Sequence, residues 1–230
     1  EMNKSRRMMA LTASRLAANG VTTVLVDLVG TGDSSGEFGD ASWSDWQQNV
    51  DCVLRWLARE RNYAVTLCGV RLGAALAIEA AVRSEEIVHR LVLWQPVVSG
   101  STFMTQFLRL RLAAELNASD RTGTDGLRKR ALNGESLEIA GYEISSNMFR
   151  MIDTLDLRKL KVRQDIPIHW LEVVSGSRPR ISPVSNRVIS GWREMNVSIS
   201  EDIVIGDPFW GTAELTLAPA LIDKTVEICG

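Results

Sequence analysis

Two rhythms alternate along the chain. Met8, Met9, Leu11, Leu16 and Ala17 recur at helical spacing, and Asn19-Gly20 supplies a stop, so residues 3–18 read as a helix. A β-branched run closed by a carboxylate, residues 21–27, reads as a strand, and the glycine- and serine-rich stretch 30–40 as a loop. Trp43, Trp46, Val50, Val53, Leu54 and Leu57 lie three or four apart and predict a long amphipathic helix. Residues 64–68 then read as a buried strand, 72–82 as an alanine-rich helix, and 87–94 as a strand that stops at Pro96. Between 99 and 161 the strand signal disappears, and only 103–116 and 127–132 look helical. Alternation resumes with a strand at 166–174, a helix at 184–195, a strand at 197–205 and a closing helix over about 213–228. Strand–helix alternation argues for an α/β fold, a mostly parallel sheet with helices on both faces. Residues 1–98 and 162–230 form the expected core, and 99–161 a helical cap inserted into it.

Composition narrows the classes. Of 230 residues, 26 are Lys or Arg and 28 Asp or Glu, a net charge of −2, and 45% are hydrophobic. That balance excludes a disordered chain and gives no long-range pull toward nucleic acid or an anionic membrane surface. No apolar run is long enough to span a bilayer and no secretory signal opens the sequence. Cys52, Cys68 and Cys229 cannot all pair within the chain, and their places in or beside apolar segments suggest reduced thiols; a cytoplasmic location is expected. Two histidines and three scattered cysteines give no zinc spacing, and no cofactor is expected.

The sharpest local signal is Leu67-Cys68-Gly69-Val70-Arg71-Leu72-Gly73-Ala74. A buried strand runs through a tight, small-residue turn straight into a helix. That layout is the nucleophile elbow, Gly-x-Ser-x-Gly, in which glycines allow strand and helix to approach closely. Any glycine-flanked strand–helix junction would read the same way. A second signal shifts the balance: Asp27-Leu28-Val29-Gly30-Thr31-Gly32-Asp33-Ser34 resembles a strand-end loop common in α/β-hydrolases, one helix and one strand ahead of the elbow. A dinucleotide-binding reading of Gly30 and Gly32 is weaker, because no helix opens at the glycines, and a P-loop lacks its Gly-Lys-Ser/Thr.

Together these stretches resemble the α/β-hydrolase superfamily and, within it, the exosortase A system-associated hydrolases of the second type. Further stretches carry the resemblance: the opening Glu1-Met2-Asn3-Lys4-Ser5-Arg6-Arg7-Met8, then Gly32-Asp33-Ser34-Ser35-Gly36, Leu93-Trp94-Gln95-Pro96-Val97-Val98-Ser99-Gly100, Phe107-Leu108-Arg109-Leu110-Arg111-Leu112, His169-Trp170-Leu171-Glu172-Val173 and Pro208-Phe209-Trp210. The resemblance implies a setting beside exopolysaccharide and protein-sorting machinery in Gram-negative bacteria. It also implies one more supersecondary unit ahead of Glu1, including a strand between 21–27 and 64–68; without that strand, those two segments are expected to pair directly.

A serine hydrolase of this fold needs a nucleophile, an acid and a histidine in that order. The nucleophile station holds Arg71, which stays protonated and cannot attack a carbonyl. The loop after 197–205 reads Gly206-Asp207-Pro208-Phe209-Trp210 and has no histidine, and the loop Ser175-Gly176-Ser177-Arg178-Pro179-Arg180 has no carboxylate. His89 and His169 belong to strands rather than to this edge and read as packed or surface imidazoles. Ser34, Ser99 and Ser175 have no histidine placed to activate them. Arg71, Gln95, Glu172, Asp207 and Trp210 therefore become a candidate pocket for a small anionic or acyl ligand, with Gly69 and Gly73 shaping the turn. An internal salt bridge from Arg71 to Glu172 or Asp207 is the expected main role of the guanidinium, ahead of a ligand anion. Trp94, Trp170 and Trp210 could line that pocket or pack the cap, Trp43, Trp46 and Trp56 read as core or cap contacts, and the helix around Phe103–Leu112 reads as a cap element with a membrane or partner contact as the rarer use. The reading is a catalytically impaired binding or accessory protein. The alternatives are an esterase or thioesterase with an unorthodox site, and an interaction-only domain.

Overall fold

The computed structural model describes residues 2–60, 63–84, 87–114, 123–176, 179–212, 214 and 216–230. These fall into two compact units: residues 1–26, 56–96 and 161–230, and residues 27–55 and 97–160.

The first unit is built on a four-stranded parallel sheet of β1 (Val65–Val70), β2 (Val88–Trp94), β5 (Ile168–Val174) and β6 (Ile199–Ile205), in the order β1-β2-β5-β6. Side-chain alternation gives β1, β2 and β5 largely apolar residues on both faces, whereas the edge strand β6 buries only Val204. On one face, Val92 and Trp94 of β2, Leu171 and Val173 of β5 and Val204 of β6 join Met8 of α1 (Met2–Ala18), Leu221 and Ile222 of α8 (Pro219–Cys229), and Phe209. On the other, the alanine-rich α3 (Gly73–Arg83) packs on β1 and β2, while Trp192 of α7 (Pro183–Glu194) meets Trp170 edge-to-face at 6.0 Å. Small side chains let α3 lie close to the sheet: Ala74, Ala75, Ala77, Ala80 and Ala81 are all buried.

Two elements depart from the sequence pattern. Residues 21–28 form neither helix nor strand, although the β-branched run predicts one. α1 stops as expected, with Gly20 at φ +80° and the Val21 amide donating to Leu16 O. Beyond it, Val24, Leu25 and Val26 are 41%, 48% and 40% exposed. β propensity describes a residue's fit to a half-buried pleated surface, and this exposed run does not occupy one. Direct pairing with β1 does not occur, so among the described residues β1 has a neighbour on one side only.

The second unit holds α4 (Gly100–Ala114), α5 (Thr124–Leu132) and α6 (Ser146–Thr154), the hairpin β3 (Leu137–Ile139) with β4 (Tyr142–Ile144), and the first part of α2 (Trp43–Glu60). The hairpin was not legible from the periodicity, and α6 was missed. Three-residue strands carry too little alternation to register, and their turn rests on Ala140 and Gly141 at φ +51° and +82°. Phe38 meets both Trp46 and Tyr142 edge-to-face, at 5.8 and 5.3 Å. Gly100 opens α4 where a Cβ would fall 1.6 Å from the Ile152 carbonyl oxygen, so α4 and the end of α6 touch through backbone. The expected end of α4 at Leu116 and start of the closing helix at Ala213 lie outside the described residues.

Candidate functional site

The bend between β1 and α3 has the elbow's geometry. Arg71 sits at φ +54°, in the left-handed region, its amide donating to Trp94 O at 2.9 Å while its carbonyl accepts from Ala74 N at 3.2 Å. An L-residue held there costs of order 1–2 kcal/mol, which the flanking strand and helix impose. Gly69 is required: a Cβ would lie 2.5 Å from Gly73 O and 2.6 Å from the Ala74 Cα. Gly73 is different, since a Cβ there meets nothing within 4 Å. The expectation that both glycines serve close approach holds for the first only.

A second strained residue lies next door. Gln95, at φ +43° just past β2, donates its amide to Leu171 O at 2.8 Å and accepts from Val173 N at its side-chain Oε1, at 2.7 Å. Its carbonyl accepts from Arg71 Nη1 at 3.4 Å. The guanidinium carbon lies 4.9 Å from the Trp210 ring centroid, in cation–π contact. Trp210 leans on Phe209 at 5.0 Å, Phe209 on Trp94 at 6.3 Å, and the Trp94 indole donates to Thr225 Oγ1 at 2.9 Å. Arg71, Gln95 and Trp210 are thus brought together at the C-terminal edge of the sheet, on an aromatic stack rooted in the core.

Glu172 and Asp207 do not join them. Glu172 is 3% exposed, accepting from Ser182 N at 2.8 Å and from the Trp170 indole at 3.4 Å. Its carboxylate thereby fastens the start of α7 to β5. Asp207 is exposed, and its carbonyl accepts from Phe209 N at 2.7 Å. The acids expected to neutralise Arg71 are engaged elsewhere or face solvent. Trp94 and Trp170 are 0% exposed, packed within the core, whereas Trp56 is 52% exposed. Thr225 and Ser182, which hold Trp94 and Glu172, were missed; a Ser directly ahead of Pro183 was the available cap signal for Ser182.

Neither histidine reaches this edge. His89 and His169 are the second residues of β2 and β5, at the opposite end of the sheet. His169 lies five steps along the strand from Val174, roughly 16 Å. His169 Nδ1 instead lies 2.9 Å from Ser200 Oγ. Of the loop after β5, Ser177 and Arg178 lie outside the described residues. Among the described residues no group of three His, Cys, Asp or Glu could hold a metal ion, and no helix is long and apolar enough to cross a membrane. The three cysteines are free; burial pushes the Cys68 thiol up strongly, and the Cys229 thiol up as well.

Residues 2–135 match the family model described as serine aminopeptidase, S33. Among solved structures, the chain is similar to Est1E from Butyrivibrio proteoclasticus, determined with ferulic acid bound: 15% identity, TM-score 0.66, covering 96% of this chain and 81% of that one. It is also similar to mouse alpha/beta hydrolase domain-containing protein 10, at 15% identity and TM-score 0.58 over 96% and 81% of the two chains. A Paleococcus ferrophilus monoacylglycerol lipase follows at 18% and 0.57 over 95% and 86%. Likeness at these identities establishes a shared fold. No curated protein matches the chain.

Proposed function

The chain belongs to the serine aminopeptidase S33 family of α/β-hydrolases, and from that premise we propose that it is a non-catalytic binding or accessory member, its crevice organised by Arg71 rather than by a nucleophile. One observation carries the reading. Arg71 occupies the left-handed position of the bend between β1 and α3, where the fold presents an attacking hydroxyl. A guanidinium stays protonated at any physiological pH and has no electron pair to offer a carbonyl carbon.

The ligand class follows from what surrounds it. Arg71 stands just ahead of α3, whose N-terminal partial positive charge adds to the guanidinium, so carboxylate, phosphate or acyl-anion groups are the chemistry such an edge favours. Gln95 and Trp210 hold the arginine and are its partners in the proposed pocket. Residues 1–98 and 162–230 serve as the α/β core and 99–161 as the helical cap. The resemblance to exosortase A system-associated proteins suggests exopolysaccharide assembly as the setting.

Hydrolysis of p-nitrophenyl butyrate by wild type, Arg71→Ala and Arg71→Ser tests the reading. No rate should depend on residue 71, and Arg71→Ser should gain none, since no histidine stands near the bend. Activity present in wild type and lost in Arg71→Ala would overturn it. On the binding side, a panel of small phosphates and carboxylates should raise the melting temperature of wild type but not of Arg71→Ala, because a ligand that binds only the native state stabilises it.

A further inference from the structure

We propose that Ser200 and His169 form a nucleophilic dyad, separate from the elbow, that accepts a phosphoryl or acyl group from small activated phosphorus or carboxylic esters. The two residues are register partners across β5 and β6, so their side chains rise from the same sheet face, and Ser200 Oγ lies 2.9 Å from His169 Nδ1. Ser200 is exposed on the edge strand of the sheet, open to a small electrophile, while His169 is half-buried behind it. In the tautomer carrying its proton on Nε2, the imidazole accepts the serine hydroxyl's hydrogen bond and is placed to take that proton.

The charges around the pair fit the same chemistry. Burial holds His169 below its ordinary value near 6.5; Arg90 of β2 and Lys224 of α8 act in the same direction, and Asp202 of β6 opposes them. The imidazole is therefore a neutral base at pH 7. Asp202 follows Ser200 by two residues on the same face and lies 3.4 Å from Lys224 Nζ, which also meets Glu227 at 2.9 Å. Arg90 donates to the Ile228 carbonyl at the end of α8. Both cations lie close enough to the imidazole to disfavour its protonated form, which keeps it free to take the hydroxyl proton.

The step balances without a further reagent. With diisopropyl fluorophosphate, Ser200 Oγ bonds to phosphorus, the P–F bond breaks, fluoride leaves with the bonding pair, and the hydroxyl proton passes to His169 Nδ1. With an activated ester, the acyl carbon takes the place of phosphorus and the alkoxide or phenolate leaves.

Diisopropyl fluorophosphate on the full chain, followed by peptide mass spectrometry, is the test. We expect one adduct on Ser200, none in Ser200→Ala, and a rate about a hundredfold lower in His169→Gln. Wild type alone supplies an independent readout: its labelling rate should rise through a midpoint below pH 6.5 and then stay flat to pH 8. No adduct at Ser200, equal labelling in His169→Gln, or a rate still climbing with hydroxide above pH 7 would overturn the dyad. Labelling does not involve residue 71, so Arg71→Ala should label like wild type, which separates this outcome from the reading of the elbow.

Discussion

At the scale of single residues, the bend shows how space and backbone angle act separately. Gly69 is fixed by contact, because its missing Cβ leaves room for the Gly73 carbonyl and the Ala74 Cα. Gly69→Ala must move strand or helix and should destabilise by about 1–3 kcal/mol. Gly73 lies at the start of α3 with open space around its Cα. Gly73→Ala should leave the native state intact and stabilise by about 0.4–1 kcal/mol, by restricting the unfolded chain. Urea denaturation of both variants checks the contrast, and equal losses would show that the turn, rather than contact, selects both glycines. Arg71 tells the complementary story. Its type was legible in sequence, and the proposed absence of a nucleophile at the bend rests on that type alone. Its contacts were not legible: Glu172 and Asp207 were offered as partners by charge and chain order. A carboxylate is satisfied as well by a backbone amide and an indole as by a guanidinium.

At the scale of elements, long periodic segments were readable and short ones were not. α2, α3 and α7, with β2, β5 and β6, lie within a few residues of their predicted ranges, because their hydrophobic positions repeat over a long enough run to register. β3 and β4 are too short to show a period, whereas α6 buries Met148, Phe149 and Ile152 on one face and its period was there to be read. The end of α8 meets the sheet through polar groups, Arg90 of β2 donating to the Ile228 carbonyl and Lys224 pairing with Asp202 of β6. His169 lies among these groups with its proton affinity lowered, chiefly by burial. Between the lowered folded value and about 6.5 the unfolded chain binds more protons than the folded one, so stability rises with pH there. The contribution is complete above about pH 6.5 and is lost as pH falls toward the folded value. Melting temperatures measured from pH 8 down to 5 should decline, and His169→Gln should decline less over that window. An identical decline in the variant would assign the pH dependence to the carboxylates instead. Elsewhere on α8, Thr225→Val leaves the buried Trp94 indole without its acceptor and should cost about 1–3 kcal/mol.

For the molecule as a whole, the fold class was legible because strand–helix alternation permits few topologies, whereas the sheet's edge was not. The run at residues 21–27 has strand composition, yet a strand exists only where a partner supplies donors and acceptors. The consequence falls on β1. Val65 and Arg71 donate their amides toward β2, to Ile87 O and Trp94 O. Alternation along a strand then turns the amides of Thr66, Cys68 and Val70 to the opposite edge, where the described residues supply no strand. Hydrogen exchange should resolve this residue by residue: amides of Leu67, Gly69 and Arg71 slow, those of Thr66, Cys68 and Val70 fast. Uniform protection along β1 would mean that something pairs with the outer edge in solution. The same edge carries no Lys, Glu or Pro, the residues that ordinarily blunt an open strand. For the chain of residues 1–230 with this edge open, self-association that grows with concentration is expected by analytical ultracentrifugation. Thr66→Lys, which sets a charge on the open strand, should reduce it while leaving the β2 side of the ladder intact.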